Sequence, residues 1–137
     1  RMSSNQIPRC KQRGIKLATL QSSGVLVEGF WRIEEEENAS LNPRKSVIAT
    51  GGSVIYGPRA MEHLREIGTV VYLKLPLEEV AERLGDLNAR GVTLRPGQTL
   101  ADLYAERVPL YEKYAHEVVD CHHIWIRDVV RKIASLL

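Results

Sequence analysis

The stretch SVIATGGSVIYGPRAMEHL, residues 46–64, carries the clearest structural pattern of the sequence. It begins with the β-branched and apolar residues of a buried strand, reaches the adjacent Gly51 and Gly52, and continues as a helical pattern with Pro58 near its start. Proline suits the first turn of a helix because its fixed φ is already helical and its absent N–H is not needed there. The stretch therefore predicts a strand, a glycine turn and a helix.

The same alternation continues along the chain. Strands are predicted at 46–50, 69–75 and 117–121, and helices at 14–24, 27–42, 58–67, 75–87, 99–115 and 126–137. The strands are apolar over most of their length, as strands covered on both faces should be. Strand and helix in turn predict a parallel sheet in an α/β protein, a three-layer α/β/α arrangement. The chain of 137 residues has the length of one domain, residues 1–137.

Composition excludes several classes of partner. The 19 basic and 17 acidic residues give a net charge of +2, too balanced for the one-signed field that binds nucleic acid or an anionic membrane. Cys10 and Cys121 form no CxxC pair, and the sequence has no apolar run near the ~20 residues of a membrane span. We therefore expect a soluble protein of the reducing cytoplasm that acts as a monomer.

The glycine pair follows the end of a predicted strand. In open parallel sheets, ligands bind beyond the carboxyl ends of the strands. Gly51 and Gly52 would let a ligand approach the bare backbone and its N–H groups. A tight turn between strand and helix would need the same residues, so the pair alone leaves both interpretations open.

Five short motifs narrow the choice when they are taken together. They are TGGSV at 50–54, VVYL at 70–73, ARGVTLRPGQTL at 89–100, ERVPLYEKYA at 106–115 and VVD at 118–120. In this order and spacing the sequence resembles the shikimate kinase family over roughly residues 46–120, and more loosely from Gly14 onward. The resemblance implies a P-loop kinase fold and transfer of a phosphoryl group from ATP to the 3-hydroxyl of shikimate with Mg²⁺, a step of aromatic amino-acid biosynthesis.

The resemblance also implies roles for individual residues. Gly51 and Gly52 match the first two of three glycines that contact shikimate in the family, and Ser53 stands at the third position. Arg107 matches the arginine that binds the shikimate carboxylate, for which a planar guanidinium is well shaped. These four residues are the predicted substrate site.

A mobile lid is implied at residues 88–99. In the family it carries a catalytic arginine that stabilises charge on the transferring phosphoryl group. Arg90 has the better separation from Arg107, whereas Arg95 is followed by the proline that is usual in the family. We favour Arg90 and keep Arg95 as the alternative.

Three features depart from the family. The 137 residues contain no GxxxxGK[ST] phosphate loop, so no nucleotide-binding residue is assigned. The positions of the family's DxD pattern fall near Ser4 and Gln6, and Trp31 occupies the position of an arginine. We expect the sequence to be a partial record of a longer kinase. A catalytically degenerate binding protein of the same fold, or a kinase of a related polyol or sugar acid, are the alternatives.

Two other clusters favour simpler interpretations. The DCHH stretch at 120–123, with His63 or His116, offers zinc ligands but lacks the usual ligand spacing, and we interpret it as a solvated loop. The glutamates at 34–37 are interpreted as a solvated helix face. The sequence therefore predicts no metal site.

Overall fold

A computed structural model describes the backbone of residues 24–85, 92 and 94–136, and side chains from residue 28 onward. The elements are α1 (Gly24–Ala39), a short 3-10 helix (Val54–Tyr56), α2 (Pro58–Ile67), β1 (Val71–Lys74), α3 (Leu77–Leu84), α4 (Leu100–Tyr114), β2 (Glu117–Asp120) and α5 (Ile126–Leu136). The helix predicted at 14–24 lies outside the described residues except for Gly24, which begins α1 and does not end a helix.

The two strands β1 and β2 form a parallel sheet. Val71 lies opposite Glu117, and Lys74 lies opposite Asp120. The Cys121 N–H donates to the Lys74 carbonyl at 2.9 Å just beyond the last paired residues. Because α3 and α4 connect the two strands, the predicted parallel α/β arrangement is confirmed for this part of the chain.

The prediction of a strand at 46–50 is wrong. These residues have no regular secondary structure, and Val47 is 94% exposed. A strand is stable only when a neighbour satisfies its backbone N–H and C=O groups, and among the described residues no strand pairs with this segment. The apolar composition of 46–50 identified a segment suited to a sheet, but it could not supply the neighbouring strand.

The main core lies under α2. Ala60, Met61 and Leu64 are buried and share one face of this helix, the spacing expected for an amphipathic helix. They pack with Val54 and Ile55 from the 3-10 helix. The polypeptide that follows the glycine pair is therefore fixed by apolar packing immediately after the turn.

A second core lies between β2 and α5. Val119, Cys121 and Val129 are its buried members. Burial raises the pKa of the Cys121 thiol above its ordinary value, in keeping with an unreactive cysteine. Ile126 and Val130, which also belong to α5, are mostly exposed.

The start of α4 is fixed by two reciprocal hydrogen bonds. The Asp102 N–H donates to Thr99 Oγ1 at 3.1 Å, and the Thr99 N–H donates to Asp102 Oδ2 at 2.9 Å. This reciprocal pair is a capping box with Asp in place of Glu. It sets where α4 begins and therefore where Arg107 projects.

Among the helices in the described ranges, none is long and apolar enough to cross a bilayer.

Candidate functional site

The glycine pair lies where side chains from two helices converge. A Cβ added to Gly51 would lie 2.8 Å from Glu34 Oε1. A Cβ added to Gly52 would lie 2.9 Å from Tyr111 Oη and 3.0 Å from Arg107 Nη1. Neither glycine has a positive φ. The two residues are therefore glycines because polar groups approach the backbone closely, and the turn itself does not require them.

Ser53 adds a hydroxyl to this turn. Its Oγ donates a 2.5 Å hydrogen bond to Glu34 Oε2, so the serine holds a carboxylate of α1 beside the glycine pair. The neighbouring Glu35 accepts a 3.0 Å hydrogen bond from the Arg59 N–H at the start of α2. The prediction of a solvated face at 34–37 is thus wrong for Glu34 and Glu35, which are half-buried, although Glu36 and Glu37 are exposed.

Arg107 projects from α4 toward the same glycines. Its Nε donates to Tyr56 Oη at 3.3 Å, and its guanidinium carbon lies 5.3 Å from the centre of the Tyr56 ring. The ion pairs among the described residues do not include Arg107. Its position is fixed by an aromatic ring, and its charge is left for an incoming anion.

A network of hydrogen bonds fixes the position of Tyr56. Tyr56 Oη donates to Glu106 Oε1 at 2.6 Å, while Arg95 Nη1 and Gln98 Nε2 each donate to Glu106 Oε2 at 3.1 Å. Burial raises the pKa of Tyr56, and the hydrogen bond to Glu106 acts in the same direction. Tyr56 therefore stays protonated near neutral pH, and its Oη can donate to Glu106 and accept from Arg107.

Trp31 packs against this network. Its ring centre lies 4.6 Å from that of Tyr56, and the Arg95 guanidinium carbon lies 5.6 Å from the indole centre. Trp31 therefore acts here as a packing residue. The indole Nε1 is buried and has no partner among the described residues. Arg32, the next residue along α1, is exposed.

A cavity of about 450 Å³ opens beside the glycine pair. Gly51, Gly52 and Arg107 belong to its polar part, and β1 residues such as Val71 and Leu73 contribute apolar surface. Its volume falls within the ~300–1,000 Å³ typical of small-molecule sites. Three of the four predicted substrate residues, all but Ser53, line this one cavity.

The lid is described only in part. Within 88–99, the structure covers residue 92 and residues 94–99, so Arg90 lies outside the described residues. Arg95 is held in a turn in which the Gln98 N–H donates to the Arg95 carbonyl at 3.0 Å. Gly97 has a φ of +78°, a value that favours glycine.

Sequence reasoning missed four residues of the site. They are Glu34, Tyr56, Glu106 and Tyr111. The spacing of Tyr111, four residues after Arg107, could have indicated that both lie on one face of a helix. Nothing in the sequence alone paired Glu34 with Ser53, because that contact depends on how α1 packs.

The fold and this cavity define an α/β protein with a site of small-metabolite size. Comparison with known proteins then identifies the family: a family model described as "SKI: Shikimate kinase" matches residues 25–137. The chain therefore belongs to the shikimate kinase family, which confirms the resemblance and implies the P-loop kinase fold.

Individual relatives agree with this assignment. The shikimate kinase of Francisella tularensis subsp. novicida (strain U112) is 35% identical over 116 residues, which cover 80% of this chain and 65% of that protein. The shikimate kinase of Chlorobium chlorochromatii (strain CaD3) is 39% identical over 120 residues, which cover 79% of this chain and 59% of that protein. The chain thus spans less than two thirds of the length of these relatives.

Proposed function

We propose that this chain forms the acceptor-binding part of a kinase that phosphorylates the 3-hydroxyl of shikimate. The carrying observation is the Arg107 guanidinium, which lies beside Gly52 and has no carboxylate partner among the described residues. In the proposal Arg107 binds the substrate carboxylate, and Gly51 and Gly52 let the ring lie against the backbone. Membership of the shikimate kinase family supports this assignment.

The charges around the cavity suit a hydroxylated acid. Glu34 lies beside Gly51, and its carboxylate can accept hydrogen bonds from substrate hydroxyls. Arg107 lies beside Gly52 and offers donors to a carboxylate. A molecule that carries a carboxylate and hydroxyls on one small ring can satisfy both side chains at once. Ser53 contributes indirectly, because it holds Glu34 in place.

We assign the catalytic lid role to Arg90. It would stabilise negative charge on the transferring phosphoryl group, as arginines do in phosphoryl transfer. The engagement of Arg95 supports this choice, because Arg95 is paired with Glu106 at 3.1 Å and lies over Trp31. Arg95 would have to leave both partners to reach a substrate.

The reaction also needs ATP, which supplies the phosphoryl group, and Mg²⁺, which neutralises charge on the phosphates. The 137-residue sequence has no GxxxxGK[ST] loop, and the residues present do not fit a nucleotide's phosphates. We therefore assign no residue of this chain to holding the nucleotide or Mg²⁺, and Arg90 is assigned only to charge on the transferring phosphoryl group. We infer a cytoplasmic monomer with small-molecule partners, and the balanced charge supports the absence of a nucleic-acid or anionic-membrane partner.

Isothermal titration of the chain with shikimate tests the acceptor site. We expect saturable binding that is lost with shikimate methyl ester, whose carboxylate is masked, and weakened in Arg107→Ala. Equal binding of acid and ester would contradict the role of Arg107. Absence of shikimate binding by folded protein would overturn the proposed function.

One observation favours a second candidate, a kinase of a related polyol or sugar acid. Trp31 stands where the family has an arginine, and its indole packs against Tyr56. A cationic group that the family pattern implies is therefore absent at this position. A panel of hydroxy acids in the same titration separates the candidates, since a second acid that binds at least tenfold tighter than shikimate would favour the alternative. Phosphorylation of any acid with ATP would exclude a purely binding role.

A further inference from the structure

Three metal-ligating side chains meet on a different part of the molecule. Glu79 belongs to α3, and His122 and His123 lie in the connection between β2 and α5. One ligand atom from each residue lies within 4.8 Å of the others. Glu79 and His123 line a second cavity, which does not include the glycine pair or Arg107. The cluster is therefore separate from the proposed acceptor site.

The two imidazoles converge on one carboxylate oxygen. Glu79 Oε1 contacts His122 Nδ1 and lies 3.7 Å from His123 Nδ1. The two ring centres are only 3.8 Å apart. Successive side chains in extended backbone point to opposite sides, but His123 has a φ of +51°. This left-handed conformation accompanies the placement of both rings on the Glu79 side.

Glu79 is suited to act as an anionic ligand. Its side chain is only 15% exposed, and its other oxygen is paired with Arg83 at 3.2 Å. Its Oε1 also accepts a hydrogen bond from the His123 N–H at 3.3 Å. Arg83, on the other oxygen, fixes the orientation of the carboxylate.

We propose that Glu79, His122 and His123 form a binding site for a divalent cation of the zinc class. Two imidazoles and one carboxylate are ligands that Zn²⁺ and Co²⁺ accept, whereas Mg²⁺ prefers oxygen ligands. A tetrahedral zinc site with ligands at 2.0–2.2 Å needs ligand atoms about 3.3 Å apart. The 3.7 Å separation of Glu79 Oε1 from His123 Nδ1 is close to that value. His122 Nδ1 is hydrogen-bonded directly to the same oxygen, so this exposed imidazole would move away from Glu79 to admit the ion.

Metal binding here would join α3 to the connection between β2 and α5. Three protein ligands leave a fourth position for water. The sequence predicted a solvated loop at 120–123. It could not indicate the third ligand, because Glu79 is distant along the chain and meets the histidines only in the folded protein. His63 and His116 were the additional zinc ligands considered from the sequence, and neither belongs to this cluster.

Titration with Zn²⁺ and with Co²⁺ tests the site, in a Cys10→Ser background that removes the thiol lying outside the described residues. We expect one ion per chain and a visible Co²⁺ absorption band. His122→Gln and His123→Gln should each weaken binding at least tenfold. These side chains are 47% and 80% exposed, so both variants should fold, which circular dichroism checks.

His63→Gln is the matched control, because His63 lies against the Leu41 carbonyl and outside the cluster. It should bind Zn²⁺ like the parent. No saturable binding, or equal binding by the parent and both cluster variants, would overturn the proposal. Displacement of Co²⁺ by an equal concentration of Mg²⁺ would also overturn it. None of these readouts depends on kinase activity, so the two proposals fail separately.

Discussion

Tyr111 donates a 2.7 Å hydrogen bond from its phenolic oxygen to the carbonyl of Gly52. The bond joins the last turn of α4 to the glycine turn. Arg107, one helical turn earlier on α4, reaches the same glycine from the same face. Burial raises the pKa of Tyr111, so its phenol remains a donor at neutral pH. The proposed acceptor site is thus a contact between two segments that are distant in sequence.

The substitution Gly52→Ala tests that contact. The added methyl would lie 2.9 Å from Tyr111 Oη and 3.0 Å from Arg107 Nη1, closer than ordinary contacts. Both atoms are ends of flexible side chains, so they should move while the fold persists. We expect binding of shikimate to weaken about tenfold, the loss of roughly one net hydrogen bond, measured by isothermal titration.

Gly68→Ala is the matched control for that substitution. A Cβ at Gly68 meets nothing within 4 Å, and its backbone is extended, with a φ of −171°. Its shikimate affinity should equal that of the parent. If Gly52→Ala also binds like the parent, the close approach of Arg107 and Tyr111 to the turn has no role in binding.

Arg107 itself should carry a larger part of the affinity. Hydrogen bonds to charged groups contribute about 1.5–3 kcal/mol, so Arg107→Ala should weaken shikimate binding roughly 10- to 150-fold. Arg107→Lys keeps the charge but loses the planar pair of donors. Its affinity for shikimate should lie between the affinities of the parent and of Arg107→Ala. Thermal unfolding should change little, since Arg107 belongs to no ion pair among the described residues.

A matched arginine separates a specific role from general charge. Arg131 is 80% exposed on α5 and pairs only with Asp128 among the described residues. Arg131→Ala removes the same charge and should leave shikimate binding unchanged. An equal loss of affinity in Arg131→Ala and Arg107→Ala would show that net charge, and not the carboxylate contact, controls binding.

The sequence predicted those elements whose determinants are local. Helices were predicted at 58–67 and 99–115, and the structure begins α2 at Pro58 and α4 just after Thr99. The segment at 46–50 has equally local apolar signals, but a strand needs a second strand beside it. That requirement depends on distant residues, which explains why the prediction failed there.

The candidate site, like the fold, was predicted only where its determinants are local in the sequence. The motifs TGGSV and ERVPLY located Gly52 and Arg107, which the structure brings together. The partners that fix these residues, such as Glu34 and Tyr56, come from α1 and the 3-10 helix and carry no motif. The 34–37 run was interpreted as solvated because charge runs usually are. Only the packing of α1 against the turn shows which glutamates face inward.

The capping box at the start of α4 should contribute measurably to stability. Thr99→Ala removes the acceptor of the Asp102 N–H, which should lower the free energy of unfolding by ~1 kcal/mol. Chemical denaturation at pH 7 measures the loss. Thr99→Ser keeps the hydroxyl and should behave like the parent. If Thr99→Ala and Thr99→Ser are equally stable, the cap does not contribute.

The same box predicts an acid-sensitive component of stability. Hydrogen bonds from the Thr99 hydroxyl and then its N–H lower the pKa of Asp102 below 3.8. A lowered folded-state pKa adds stability above the unfolded value, and that stability is lost as pH falls through the folded value. Asp102→Asn should therefore show a shallower loss of stability below pH 4 than the parent. Parallel curves from pH 5 to pH 2 would contradict this.

The raised pKa of Tyr72 predicts a component of stability that is lost at alkaline pH. Burial first, then the neighbouring Tyr104, Tyr111 and Glu112, raises its pKa from 10.0 to about 12. Because the folded value lies above the unfolded value, the protonated phenol adds stability that is complete below pH 10 and is lost as pH rises toward 12. Tyr72→Phe should therefore lose stability less steeply over that range than the parent. Urea unfolding from pH 8 to pH 11.5 measures both curves, and their parallel course below pH 9.5 is the internal control. Equal slopes above pH 10 would show that Tyr72 ionises as easily in the folded protein as in the unfolded chain.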